Sequence, residues 1–309
     1  MLPTSRSDHR HPSKSLVFLI FVALFLWLVF SFIGFGIAAI VFDAGLADLS
    51  TRNMKPETFK LLQAVITTGA FILPPLVLRF YERRYPAPYF VWNRKIQFQL
   101  VVLTMMIMML ANPLISATAS FNEGIHLPEF LSGLEARLRE KDSELKLLTQ
   151  KLLQVHSTGG LLINLFVIAI LPAVGEELFF RGGLQTIINR WTGNHHAAIW
   201  IVAVIFSSIH VQFLGFLPRM LLGAVLGYLF FWTGNVFFPM LAHFINNGTA
   251  VIAAYYFQLK GKSPDEFDQV QGSSWPLVLI SIVATGLLLR RFYMYTSSNI
   301  NHKNYGENE

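Results

Sequence analysis

The chain contains no cysteine. That excludes a disulfide scaffold, a thiolate metal site, a cysteine nucleophile and a CxxC redox centre together. Charge is scarce too: Asp, Glu, Lys and Arg make up 14% of 309 residues, against roughly a quarter in ordinary soluble domains. There is no low-complexity tract and no repeat with a period of roughly 20–50 residues, which sets aside solenoids and propellers. What the chain has instead is apolar surface: 53% hydrophobic residues, including 28 Phe.

That excess is concentrated in runs. Leu16–Phe42 is an uncharged stretch of 27 residues, long enough to cross a hydrocarbon core of roughly 30 Å. It exceeds the roughly 7–15 residues of a signal-peptide core and lacks a clear small-x-small cleavage site, so it is expected to be a retained span. Further runs are Leu61–Leu78, Phe98–Ala119, Gly160–Phe180, Ala197–Leu214, Leu217–Trp232, Val236–Phe257 and Pro276–Leu289. Backbone groups in lipid must be satisfied internally, so continuous apolar runs are helices. The expected fold is all-α: a polytopic transmembrane bundle of about eight spans with one long extramembrane amphipathic helix.

The chain divides accordingly. Residues 1–15 form a basic N-terminus and 16–119 three spans. Residues 120–157 form an extracytoplasmic amphipathic loop, on the 3-4 spacing of Leu131, Leu134, Leu138, Leu145, Leu148 and Leu152, with Lys141 in the one gap. That helix is read as lying on the membrane surface or against its own loops, with a dimerising seam as the alternative. Residues 158–258 hold the polar-bearing core, 259–294 a loop and the last span, and 295–309 a polar tail expected to be disordered. With the N-terminus cytoplasmic, 13 of the 24 Lys and Arg fall inside. Five of the others lie in the long loop, which counts less. Both termini are therefore expected in the cytoplasm of a cell-membrane, multi-pass protein. The net charge of +6 needs no nucleic acid, because the basic residues sit where the positive-inside rule and anionic lipid place them.

Ionisable groups inside spans are expensive, so each is a functional candidate. Glu176, Glu177 and Arg181 share one run; His210 and His243 are the two histidines of nine that fall in spans. Folding the chain back at Trp191–His196 puts Glu176 and His210 at similar depth, each about 25 Å from the turn. His243 and Asn247, one turn apart, follow the next hairpin. Glu177 and Arg181 are i and i+4 and can pair, which leaves Glu176 about 100° away. Pro172 and Gly175 should loosen this helix and free carbonyls. Such a set could raise the pKa of a carboxylate that activates water, with imidazole and carboxamide donors for an oxyanion. Equally, Glu176, His210 and His243 could hold Zn²⁺ with a position left for water. Spacing does not choose between these routes.

Three motifs in order carry a resemblance: Glu176-Glu177-Leu-Phe-Phe-Arg181 (EExxxR), Phe206-Ser-Ser-Ile-His210 (FxxxH) and His243-Phe-Ile-Asn-Asn247 (HxxxN). Here the chain closely resembles the CPBP intramembrane proteases, a group that includes type II CAAX prenyl endopeptidases and bacteriocin-processing or immunity proteins. The resemblance covers roughly Leu161–Ala253. It implies that Glu176 activates water with help from His210, that His243 and Asn247 stabilise the oxyanion, and that Glu177 and Arg181 organise the helix. The family is often labelled metalloprotease, though a metal-free glutamate mechanism is also argued for it; the metal-free route is favoured here because the set has neither a second carboxylate ligand nor HExxH. The implied partners are the bilayer and a membrane protein or peptide substrate, with lipid modification and homo-oligomerisation left open.

Two other functions compete. A non-enzymatic bacteriocin-immunity or partner-binding protein would keep the polar cluster for stability. A proton-coupled transporter would use Glu and His as a relay, but would favour broken helices in both halves of the chain. Gly223-Ala-Val-Leu-Gly227 is read as close helix packing and not a dimer code, and Asn247-Gly-Thr249 as membrane-buried and not a glycan acceptor.

Overall fold

The computed structural model describes residues 11–45, 54–83, 96–262 and 274–306, the last eight by backbone alone. The basic residues Arg6, Arg10, Arg84, Arg94 and Lys95 used for orientation lie outside the described set. Nine helices are seen among the described residues: α1 Pro12–Phe42, α2 Pro56–Tyr81, α3 Phe98–Glu123, α4 Ser132–Leu153, α5 Thr158–Thr192, α6 His195–Ser208, α7 Phe216–Thr233, α8 Phe237–Leu259 and α9 Trp275–Gly306. Among the described residues there is no strand. Seven of the helices are long and apolar enough to cross a membrane; α4 is polar and α6 has only 14 residues.

The eighth expected span, Ala197–Leu214, is therefore shorter than its apolar run. Helix α6 stops at Ser208, and an irregular turn that includes Val211 in the left-handed region (φ 52°) leads into α7. Hydropathy measures how apolar a segment is, not where its backbone leaves the helix. The expected disordered tail is a second correction. Helix α9 runs on to Gly306, because no Gly or Pro interrupts Arg290–Tyr305. Its polar part is also held: buried Thr296 donates to the Phe292 carbonyl (3.1 Å), and the Tyr295 hydroxyl bonds Gln99 at the start of α3.

Without water to drive helices together, packing and interhelical hydrogen bonds hold such a bundle. One buried cluster joins α1, α2, α5 and α6 through Leu19, Leu78, Phe180, Leu184, Val202 and Phe206. A second joins α3, α7, α8 and α9 through Leu100, Ile107, Leu226, Phe238 and Phe292. Gly223 and Gly227 bring α7 against its neighbours: a Cβ would lie 3.3 Å from Ala203 Cα at the first and 2.9 Å from Gln185 and Ile199 at the second. Helix α1 faces outward over most of its surface, with Phe21, Leu24, Phe32 and Ile40 exposed.

Helix α5 departs from α-geometry twice, in π-helical segments at Leu165–Ile170 and Leu178–Gln185. These flank the Pro172–Gly175 region expected to be loose; π-bulges are frequent at functional sites.

Candidate functional site

The site is assembled from α5, the end of α6 and α8. Glu177 and Arg181 are fully buried and paired, with Nε to Oε2 at 3.0 Å and Nη1 donating to Oε1 at 3.1 Å. Arg181 Nη2 also donates to the Gly223 carbonyl of α7 at 2.9 Å. One turn on, Gln185 Nε2 donates to the Gly227 carbonyl at 3.0 Å. Two i, i+4 side chains of α5 thus meet two i, i+4 carbonyls of α7, which needs the close approach that the glycines permit.

Glu177 has a third partner. His243 Nδ1 donates to its Oε1 at 2.9 Å, which directs the other ring nitrogen, Nε2, elsewhere. A carboxylate that orients an imidazole through Nδ1–H is a recurrent device of acid–base sites. The adjacent Glu176 stands differently: its Oε2 is buried and makes no hydrogen bond. Both neighbouring acids have a buried Oε2 that makes no hydrogen bond, but Glu177 is ion-paired to Arg181 and bonded to His243 through Oε1, and Glu176 has no such pair among the described residues.

His210 lies just beyond α6, in the turn and not in a span. Its Nδ1 donates to the Phe206 carbonyl at 2.8 Å. A carbonyl can only accept, so Nδ1 carries the proton and the neutral ring keeps its lone pair on Nε2. Phe206 is the wedge of the site: its ring meets His210 edge-on at 5.2 Å, His243 at 6.0 Å and Phe180 at 5.1 Å, and the Arg181 guanidinium lies 4.9 Å from its centroid.

Asn247 holds α8 to α5. Pro172 has no N–H to offer the carbonyl four residues back, that of Ile168. Asn247 Nδ2 donates to that carbonyl at 3.1 Å, and Asn246 Nδ2 donates to Asn247 Oδ1 at 3.0 Å. The freed carbonyl expected from the sequence is present, and Asn247 is what satisfies it.

Among the described residues no three His, Asp or Glu side chains are grouped as metal ligands. Glu176, His210 and His243, the set that could hold zinc, are not gathered in that way.

Four contributors were not read from the sequence. Gln185 could have been found from its spacing to Arg181, matched by Gly223 and Gly227. Arg219, at the start of α7, donates to Gln212 and interacts electrostatically with Glu176 and Asp142; its place as the third residue of the run Leu217–Trp232 could have marked it. Asn122 and Asp142 reach the His210 turn from α3 and α4. Nothing local marks either.

Comparison with known proteins agrees with the motif reading. Residues 158–249 match the family described as type II CAAX prenyl endopeptidase, Rce1-like. The chain is 35% identical over 86 residues to the uncharacterized protein YpbD of Bacillus subtilis (strain 168), an alignment covering 26% of this chain and 41% of that protein. The chain thus spans about two fifths of the length of this relative. No solved structure matches it. All three motifs fall inside the matched segment, and the site described above is built from it, so the similarity to the type II CAAX prenyl endopeptidase, Rce1-like family is carried by residues 158–249.

Proposed function

We propose that this chain is an intramembrane endopeptidase that hydrolyses a peptide bond of a membrane-associated protein or peptide, with Glu176 as general base. One observation carries the reading: a buried carboxylate oxygen of Glu176 without a hydrogen-bond partner, beside an acid that is already neutralised. A buried polar atom left unpaired costs about 1–3 kcal/mol. Glu177 Oε2 also lacks a hydrogen bond, but it lies 3.0 Å from Arg181 Nε in an ion pair, whereas Glu176 Oε2 has neither kind of partner among the described residues.

In this reading Glu176 takes a proton from water as the water oxygen adds to the scissile carbonyl, and then returns it to the leaving amine. Nε2 of His210 supports the water. The developing oxyanion is met by the ring of His243, held through Nδ1 by Glu177, and by the second Nδ2–H of Asn247. Each step uses groups of the chain itself. The protein is multi-pass in the cell membrane, with both termini cytoplasmic.

Glu176→Gln should leave insertion and melting temperature unchanged and lower cleavage by at least about 10²-fold, the scale of a lost general base. The comparison is of new N-termini in membranes carrying parent or variant chain. Equal cleavage by the two would sink the reading. Metal analysis of the purified chain, with cleavage followed through chelation, tests whether a bound ion takes part.

A further inference from the structure

The turn that carries His210 is strained and is held from outside the matched segment. Val211 sits at φ 52°, a region that β-branched residues avoid. Such a residue persists only where its surroundings over-determine it. Its own side chain does not do so, being 60% exposed. The constraint comes from buried polar side chains on other elements. Asp142, on α4, accepts from the Leu214 N–H through Oδ2 at 2.7 Å. Asn122, near the end of α3, donates to the Phe213 carbonyl and accepts from the Leu217 N–H, both at 2.8 Å. Ser207 closes the turn from its own side by donating to the Phe216 carbonyl at 2.7 Å. Asp142 and Asn122 are 8% and 2% exposed. Both are buried polar side chains bonded to backbone groups of this turn or of the start of α7.

We propose that Asp142, with Asn122, is a positioning residue for His210: the extramembrane helix α4 is part of the catalytic apparatus because it clamps the strained turn that presents this imidazole. The inference rests on the endopeptidase reading. It assigns a role to a helix that the family resemblance does not reach. Arg219 interacts electrostatically with both Asp142 and Glu176, so the clamp and the carboxylate share one charged surrounding.

The test uses the full chain purified in detergent, with amide exchange at Leu214 and the rate of new N-termini in membranes as separate readouts. Asp142→Ala should speed Leu214 exchange at least about tenfold and slow cleavage by a similar factor, with α8 amides unaffected. Asp142→Asn keeps an acceptor oxygen and should stay within about threefold of the parent in both. Val211→Gly removes the strain, so Asp142→Ala/Val211→Gly should recover most of the lost rate; a residue that merely stabilised the fold would not be rescued by a glycine there. Unchanged Leu214 exchange in Asp142→Ala, or equal losses in Asn and Ala variants, would overturn the proposal. The exchange readout does not depend on cleavage. A clamp that fails while Glu176→Gln is inactive, and a clamp that holds while Glu176→Gln cleaves normally, are different results.

Discussion

The adjacent acids Glu176 and Glu177 are chemically the same residue and have opposite surroundings. Glu177 meets a guanidinium fork and an imidazole N–H; Glu176 keeps a buried oxygen bare. Breaking a buried ion pair from one side strands a charge and costs about 3–5 kcal/mol, whereas removing both partners is often close to neutral. Arg181→Leu should therefore lower the melting temperature strongly in detergent, and Glu177→Leu/Arg181→Leu should recover much of the loss while leaving His243 without its orienting acid. A stable but inactive double variant is the expected outcome; a double variant no more stable than the single one would refute it. The i, i+4 relation made the Glu177–Arg181 pair legible in the sequence. That His243 would choose Glu177 was not legible, because two acids 100° apart on a helix are both within reach of a neighbour whose rotation the sequence leaves open. Asn247 was legible as a polar side chain on the right helix, and its attachment to Ile168 follows from Pro172 only once the two helices are known to touch.

Helix α4 shows how a correct pattern can hide the working residues. Its leucines follow the 3-4 spacing, and Leu148 and Leu152 are buried as expected, but Leu134 is exposed and the inward line contains Glu135 and Asp142. The reason is what α4 faces. Its partners there are backbone N–H groups, those of Leu127 and Leu214, and these need acceptors, not methyl groups. Glu135 accepts from Arg139 Nε, from the Leu127 N–H and from His126 Nδ1 at 2.7–2.8 Å. The Arg139 hydrogen bond first, and the Leu127 N–H next, hold its carboxyl down at about 2, from an ordinary 4.5. A depressed carboxylate stabilises the fold above its unfolded pKa, and that stability is lost as pH falls through the folded one. The entry to α4 should thus be firm above about pH 4.5 and loosen between about 4.5 and 2. Exchange at the Leu127 amide, corrected for intrinsic rate, should rise across that window. Glu135→Gln should be loose already at neutral pH and show no such step; a step of the same size in the variant would assign the loosening to another group.

At the scale of the whole molecule, the short helix α6 decides the topology. Fourteen residues reach only about 21 Å at 1.5 Å per residue, less than the roughly 30 Å of a hydrocarbon core. If α6 with its turn counts as a crossing, eight segments put both chain ends on one side. If it does not, seven long helices put them on opposite sides, and Arg290 and Arg291 lie outside against the positive-inside rule. The clamped turn favours the first answer. Its carbonyls and N–H groups are met by Asn122, Asp142 and Ser207, and irregular backbone at membrane depth is tolerated where protein surrounds it in this way. The absence of cysteine makes the matter directly measurable, since any thiol introduced is the only one in the chain. Ser143 on α4 and Ser298 on α9 are both exposed, and the four helices α5–α8 and the apolar part of α9 separate them. With α6 crossing, Ser143→Cys should react with an impermeant maleimide in intact cells and Ser298→Cys only after lysis. Labelling of both from the same side would mean that α6 enters and leaves by one face, and that the His210 turn is approached from that face alone.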